Sequence, residues 1–289
     1  MGNLDADTSI EPVGDDRYRA TLSQDWAMWG PNGGYLAAIA LRAAGAATAL
    51  SRPATLTCGF IGSATFDPVE LQVARLRAGR RAELLRVEMF QGAKQILSAS
   101  VWTVADGLPG PDRQWSDAPS APPPLELSTM EDLVVAAGGT PLTLWRNYEV
   151  RPIGEVRIDP DRPAAEPKGQ AWLRFREQAT FPGDPWLDAG RCAVAADITG
   201  FPTVARGFAA RELAFIAPTV DLHLTFHGAT PAGEWLLVES EGLAAGGGLV
   251  GARARIWSPG VGLVASGGQQ LLVTVPRSTQ TVPHSSARP

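Results

Sequence analysis

Residues 26–44 read WAMWGPNGGYLAAIALRAA, a glycine-rich turn that opens directly into a helix. The helix has almost no polar face, so other parts of the chain must cover it on nearly every side. The free N–H groups at its start, near Gly33 and Gly34, form a small electropositive site where a carbonyl oxygen or an anion can bind. The rest of the sequence must supply a wrapping for the helix and a role for its tip.

The bulk composition is that of an ordinary globular protein. The chain has 289 residues, of which 45% are hydrophobic and 19% are charged. This length favours two domains of about 120 to 140 residues over one large domain. The net charge of -5 argues against a nucleic-acid binder, and an anionic ligand would need local arginines.

The cysteines and the N-terminus predict a cytoplasmic protein without a disulfide framework. Cys58 and Cys192 are the two cysteines of the chain, and each lies among apolar or small residues, as buried thiols do. The acidic N-terminus lacks an apolar signal region, and no run of about 18 uncharged apolar residues occurs. We therefore expect no membrane association.

Four strand-like segments accompany the first helix. One precedes it at 17–22, and three follow it at 69–76, 82–91 and 95–104, with turn residues between them. Apolar and polar residues alternate in the segment at 69–76, as in a half-buried strand. The order of the three segments indicates an antiparallel meander.

The second half of the chain repeats this order. A strand at 171–176 precedes a second apolar helix, which runs from Trp186 to about Ala196. Four further strands follow, at 219–226, 235–243, 249–257 and 263–275. The proline-rich residues 106–140 suit a surface linker between the halves, and residues 276–289 are expected to be disordered.

A long apolar helix wrapped by a curved antiparallel sheet is the hotdog architecture, and two copies in one chain make a double hotdog. The sequence therefore predicts an α+β double hotdog, with an N-terminal hotdog at 1–105 and a C-terminal hotdog at 141–275 that carries the candidate catalytic residues. A single α+β domain with accidental self-similarity is the alternative.

Short motifs in both halves resemble one known family. They are WGPNGGY at 29–35, LRAGR at 76–80, TVDLH at 219–223, FH at 226–227, EWLL at 234–237 and LVASGGQ at 263–269. These motifs resemble the bacterial acyl-CoA thioesterases of type II, which are double hotdogs. The resemblance spans most of the chain outside the linker and tail. It implies an enzyme that hydrolyses acyl thioesters to the free acid and CoA.

The resemblance also implies a set of catalytic residues. In that family an Asp at the end of the second helix, a Thr before the strand that ends in Phe-His, and a Gln after the Leu-Val-Ala-Ser segment hold and activate a water. The matching positions are Asp197, Thr219 and Gln269.

Asp197 also has a physical reading of its own. It follows a run of small apolar residues, which puts its carboxylate at the C-terminal end of the second helix. The helix dipole disfavours a negative charge there, so we expect a raised pKa that suits a general base. The alternative is an exposed Asp that caps the turn at 198–200.

The glycines at the tip of the first helix complete the hypothesis. Glycine lets a thioester carbonyl approach the N–H groups of Gly33 and Gly34 closely, where they would stabilise an oxyanion. We therefore place the site between the two halves, with the carbonyl on the first helix and the water on Asp197, Thr219 and Gln269.

Two further groups of residues have both a functional and a structural reading. Arg77, Arg80 and Arg81 form a basic turn that would hold the phosphates of coenzyme A, or is simply solvated. Trp26 and Trp29 would line an acyl tunnel, or pack in the core and its loops.

Other kinds of site find no support in the sequence. No Gly-x-Ser-x-Gly motif occurs, which argues against a serine hydrolase, and the glycine spacing does not match a dinucleotide fingerprint. His223 and His227 lie four residues apart on a predicted strand, about 13 Å from each other, too far to share a zinc ion. We predict no metal and no cofactor.

Two alternatives share the hotdog architecture. An enoyl-CoA hydratase presents an Asp together with a His, but the ten residues after Asp197 contain no His. A hotdog that binds acyl-CoA without turnover is the second alternative. The expected partners are an acyl-CoA or a related acyl thioester and further copies of the chain in a homo-oligomer, and the expected setting is fatty acid metabolism.

Overall fold

The computed structural model describes residues 1–156, 158–159, 161–228 and 233–275, so the predicted disordered tail lies outside the described residues. The helices in these ranges are α1 (Leu4–Asp7), α2 (Gly33–Ala46), α3 (Met130–Ala136) and α4 (Pro185–Ala205). The strands are β1 (Glu11–Gly14), β2 (Arg17–Ala20), β3 (Arg52–Phe60), β4 (Val69–Arg77), β5 (Ala82–Gln91), β6 (Lys94–Val104), β7 (Tyr148–Ile153), β8 (Lys168–Phe175), β9 (Thr219–Phe226), β10 (Leu236–Gly246), β11 (Leu249–Ser258) and β12 (Gly262–Leu272).

The strands of the described residues form one antiparallel sheet, in the order β1-β2-β4-β5-β6-β3-β9-β12-β11-β10-β8-β7. The two halves of the sheet meet where β3 pairs with β9, from Thr55 opposite Thr225 to Gly59 opposite Asp221. Each half contributes six of these strands and one long helix. This arrangement confirms the predicted double hotdog.

Helices α2 and α4 lie together on the inner face of the sheet. Every residue of α2 from 34 to 41 is buried, as the missing polar face predicts. Asn32 caps α2 by accepting the N–H of Tyr35, and Asp184 caps α4 by accepting two N–H groups of its first turn. Each cap satisfies backbone donors that the helix itself leaves without acceptors.

The two helices are antiparallel and very close. Gly34 faces Val194, whereas Gly45, at the other end of α2, faces Trp186 at the start of α4. A Cβ on Gly34 would lie 2.6 Å from the Val194 Cα, so the backbones themselves are in contact. This approach brings the start of α2 beside Asp197, in the middle of α4.

The second helix is longer than its sequence suggests. Gly200 and Pro202 indicate an end near Ala196, but α4 continues to Ala205. Pro202 removes one intrahelical hydrogen bond, which packing of the last turn offsets, because Thr203 and Val204 are buried. The prediction that Asp197 lies at the C-terminal end of a helix is therefore wrong.

The central strand β3 was not among the predicted strands. Pro53 and Gly59 interrupt the apolar pattern of β3, yet the neighbouring strands on both sides satisfy its backbone hydrogen-bonding groups.

The predicted linker is partly structured, because helix α3 lies within 106–140. Within the same segment, the Pro122 carbonyl accepts the Trp172 Nε1 over the outer face of the sheet. Among the described helices, none has the length and hydropathy that crossing a bilayer requires.

Candidate active site

Four elements bring the three predicted catalytic side chains together. Asp197 comes from the middle of α4, Thr219 from the first position of β9, and Gln269 from the neighbouring strand β12. The N-terminus of α2 closes the fourth side with Asn32 and Gly34. The site therefore lies at the junction of the two halves.

The carboxylate of Asp197 accepts three hydrogen bonds. Its Oδ2 accepts the Asn32 Nδ2 at 2.8 Å and the Gly34 N–H at 2.9 Å. Its Oδ1 accepts the hydroxyl of Thr219 at 2.9 Å. Such bonds to a charged acceptor fix the orientation of the carboxylate.

Gln269 joins this network through Thr219. The Thr219 Oγ1 lies 3.0 Å from the Gln269 Oε1, and the Gln269 Nε2 donates to the Ala196 carbonyl at 3.0 Å. Gly200 makes room for this amide, because a Cβ at Gly200 would lie 1.7 Å from the Gln269 Nε2. Gly200, which by its residue type indicates a helix end, therefore allows the Gln269 side chain to reach the site.

The pKa of the Asp197 carboxyl is raised from its ordinary value. Burial is the main cause, because it disfavours the charged form, and the hydrogen bonds from Gly34, Thr219 and Asn32 act in the opposite direction. The sequence predicts the same direction from the dipole at the C-terminal end of the second helix. That reason is wrong, because the helix end near the carboxylate is the start of α2, whose dipole favours a negative charge.

The two glycines of the first helix have different roles. The N–H of Gly34 donates to Asp197, so it is not available to a substrate carbonyl, which corrects the expectation that both glycines bind the carbonyl. The N–H of Gly33 has no acceptor within the described ranges. A Cβ on Gly33 would lie 3.2 Å from both carboxylate oxygens of Asp197 and 3.1 Å from the Phe60 Cζ. The space above the carboxylate is therefore bounded by Gly33 and Phe60.

The basic turn at 77–81 lies far from this site. It precedes the start of β5, where Ala82 pairs with Val104, and Val104 in turn pairs with Arg52 at the start of β3. Phe60, beside the site, ends β3 eight residues later, which is roughly 26 Å along the strand. The structure therefore does not bring the three candidate phosphate-binding arginines to the catalytic residues.

The two tryptophans before α2 also differ. Trp26 is fully buried and stacks on Tyr35 at 5.1 Å, so it is a core residue. Trp29 is 53% exposed, and its ring packs at about a right angle against Phe201, with the ring centroids 5.6 Å apart. Phe201 lies one helical turn after Asp197, which leaves Trp29 as the tryptophan of this pair near the site.

No histidine or metal cluster accompanies Asp197 in the part of the chain that the structure describes. His223 and His227 are exposed, and His223 is on the outer face of the sheet, between the buried Leu222 and Leu224. No group of three or more His, Cys, Asp or Glu side chains within the described residues is arranged to hold a metal ion. The Asp and His pair of the hydratase alternative is therefore not formed by these residues.

Three residues of the site were not predicted from the sequence. Asn32 reads as an ordinary helix cap, and Gly200 as a helix end, so their types gave a local signal without a role. Phe60 had no signal, because nothing in the sequence shows that β3 ends beside α2. All three reach the site through tertiary contacts.

Comparison with known families decides the identity of the chain. A model described as the acyl-CoA thioesterase N-terminal domain matches residues 22–104, and one described as the acyl-CoA thioesterase C-terminal domain matches residues 117–273. The chain belongs to the acyl-CoA thioesterase family. The thioesterase is thus a thioester hydrolase that acts on acyl-CoA.

Solved structures with the same fold include named thioesterases. Acyl-CoA thioesterase II of Mycobacterium marinum is 24% identical with a TM-score of 0.77, and the match covers 95% of this chain and 99% of that one. A hot dog protein of Alicyclobacillus acidocaldarius is 19% identical (TM-score 0.78; 96% and 99% covered). A tesB protein of Mycobacterium avium subs paratuberculosis is 22% identical (TM-score 0.73; 93% and 97% covered). No curated protein matches the thioesterase by sequence.

Proposed function

We propose that Asp197 is the general base of this thioesterase and that, with Thr219 and Gln269, it holds and activates the hydrolytic water. The observation that carries the proposal is the fully oriented carboxyl group with a raised pKa at the junction of the two halves. A positioned general base of this kind contributes about 10² to 10⁴-fold to a rate.

The hydrogen bonds of Asp197 favour one position for the water. Each carboxylate oxygen has about two lone pairs that accept hydrogen bonds. Those of Oδ2 are used by Asn32 and Gly34, whereas Oδ1 accepts only Thr219 among the described residues. The water therefore binds to Oδ1, beside Gly33.

Thr219 lets the network accept a proton. Its hydroxyl has one proton and two acceptors, the Asp197 Oδ1 and the Gln269 Oε1. While Asp197 is ionised, the hydroxyl donates to the carboxylate. Once Asp197 has taken a proton from the water, the hydroxyl turns to Gln269, so both states of the base keep their hydrogen bonds.

The reaction then needs no metal and no covalent bond between the enzyme and the substrate. Asp197 takes a proton from the water as the water oxygen attacks the carbonyl carbon of the thioester. The oxyanion of the tetrahedral intermediate accepts the Gly33 N–H. Collapse of the intermediate breaks the C–S bond, and the proton held by Asp197 passes to the CoA thiolate. The products are the free acid and CoA.

The pH dependence of kcat/KM tests the role of Asp197 as a base. The base must be ionised, so kcat/KM should fall about tenfold per pH unit below the pKa of Asp197 and stay level above it. Because burial raises that pKa, the midpoint should lie above the ordinary Asp value of about 3.9. A profile that stays flat down to that value would contradict the proposal.

Replacing Thr219 by Val should lower kcat at least about tenfold, because the hydrogen bond to the charged Asp197 is lost while the shape of the side chain is kept. Thr225, on the exposed face of the same strand, provides the matched control. Steady-state release of CoA thiol measures both variants. Equal kcat for Thr219→Val and Thr225→Val would remove Thr219 from the mechanism.

The proposal extends to the domain bounds, the assembly and the setting of the enzyme. We take residues 1–105 and 141–275 as the two hotdog units and 106–140 as their connection. We also propose that the thioesterase is a cytoplasmic homo-oligomer that acts in fatty acid metabolism, as we expect from the sequence. A panel of short, medium, long and aromatic acyl-CoAs, assayed for free thiol, defines which acyl groups the thioesterase accepts.

A further inference from the structure

Asn32 holds two different parts of the site at once. Its Oδ1 accepts the N–H of Tyr35 at 3.0 Å, which caps helix α2. Its Nδ2 donates to the Asp197 Oδ2 at 2.8 Å. The side chain is 5% exposed, so water does not replace either bond at low cost.

The orientation of the Asn32 amide follows from both of its ends. A rotated amide would point its NH₂ group at the N–H of Tyr35, donor against donor. It would also point its carbonyl oxygen at the carboxylate of Asp197, acceptor against acceptor. Both contacts are unfavourable, so the cap on one helix fixes the direction of the donor that reaches the other.

We propose that Asn32 is a positioning residue for the general base: its Nδ2 donor binds Oδ2, orients the Asp197 carboxylate, favours the ionised form and leaves one lone pair of Oδ1 for the water. Asn32 acts through Asp197 and does not touch the reacting atoms, so the proposal rests on the proposed role of Asp197. It gives the Asn of the GPNGG segment a role in catalysis besides capping.

The other groups around Asp197 do not titrate with it. Thr219 from β9, Gln269 from β12, and Asn32 and Gly34 from α2 carry no ionisable group. Tyr148 on β7 and Cys58 on β3 respond to the charge of Asp197. Burial first, and this charge second, raises the pKa of both groups, so both stay neutral in the acid range.

Substitutions at Asn32 separate positioning from capping. Asn, Asp and Ser cap a helix about equally well. A serine at this position is too short to reach Asp197, and an aspartate would set a second carboxylate against the Asp197 Oδ2. We therefore expect Asn32→Ser to raise the midpoint of the acid limb of kcat/KM by about one pH unit and to lower kcat severalfold. Asn32→Asp should shift the midpoint further and lower kcat at neutral pH about 10²-fold.

Asp184 provides the matched control, because it caps α4 at the far end of the helix pair. Asp184→Asn exchanges the same two residue types at that cap and should change neither the midpoint nor kcat. Urea unfolding of every variant reports on the caps themselves. If the Asn32 variants keep the wild-type midpoint and kcat, Asn32 is only a cap and the inference is overturned.

Variants of Asp197 and of Asn32 separate the base from the residue that positions it. If Asp197→Asn keeps wild-type turnover, the proposed base is wrong, whatever the Asn32 variants do. If Asp197→Asn is inactive while Asn32→Ser and Asn32→Asp match the wild type, only the positioning role falls. Should Asn32→Asp not fold, Asn32→Ser alone carries the comparison.

Discussion

Asp197→Asn should lower kcat by about 10² to 10⁴-fold, with little change in the binding of acyl-CoA. The Asn amide has nearly the shape of the carboxylate. Its amide oxygen takes the place of the Asp197 Oδ2 and still accepts the two donors from Asn32 and Gly34. Its NH₂ group donates to Thr219, whose hydroxyl then donates to Gln269. The network is kept, and only the proton acceptor is lost.

Asp221→Asn is the matched control for this substitution. Asp221 lies two residues after Thr219 but on the opposite face of β9 from the buried Leu222. It should leave kcat within about twofold of the wild type, as surface changes do. Turnover is measured as release of CoA thiol from a saturating acyl-CoA. Near-normal turnover by Asp197→Asn would remove Asp197 as the base.

Asp197→Asn should not destabilise the protein at neutral pH. In the unfolded chain the pKa of Asp197 is about 3.9, and burial raises the pKa in the folded protein. As pH rises from the unfolded to the folded pKa, the unfolded chain loses its proton first, so the free energy of unfolding decreases. Asn does not titrate and avoids this loss. Asp197→Asn should therefore unfold in urea at the same or a higher midpoint than the wild type at pH 7.

Gly33→Ala should lower kcat about 10²-fold while the fold stays intact. The added methyl group would lie 3.2 Å from the carboxylate oxygens and 3.1 Å from the Phe60 ring, beside the proposed positions of the water and the carbonyl. A misplacement of about 1 Å in a reacting group costs rates of this order. Wild-type kcat in a folded Gly33→Ala protein would show that the reaction occurs elsewhere.

Gly34→Ala provides the contrast, because its methyl group would meet helix α4. The new Cβ would lie 2.6 Å from the Val194 Cα and 2.8 Å from the Ala193 carbonyl oxygen, and these backbone atoms cannot move aside without shifting the helix. Overpacking of this kind costs about 1 to 3 kcal/mol. Urea unfolding should therefore show a larger loss of stability for Gly34→Ala than for Gly33→Ala.

The sequence predicts the architecture well because burial and alternation are local properties. The unbroken apolar face of α2 and the period of β4 and β9 follow from residues that are adjacent in the chain. Strand β3 and the last turns of α4 depend on tertiary contacts, which override Pro53, Gly200 and Pro202. Their lengths could not be read from propensity.

The candidate site, like the fold, was predicted only in part from the sequence. The positions Asp197, Thr219 and Gln269 follow from a family resemblance, and the structure brings them into one hydrogen-bonded network. What the sequence cannot supply is the direction of each donor. The antiparallel crossing of α2 and α4 turns Gly34 towards Asp197 instead of a substrate carbonyl, and no local pattern encodes that crossing.

The most direct test compares the pKa of Asp197 with the kinetic profile. Carboxyl carbons labelled with ¹³C in all Asp residues are titrated by NMR, and the signal absent from Asp197→Asn identifies Asp197. We expect its pKa to lie above the ordinary value of about 3.9 and to equal the midpoint of the acid limb of kcat/KM. An Asp197 that titrates at the ordinary value, or at a pH different from that midpoint, would contradict its role as the general base.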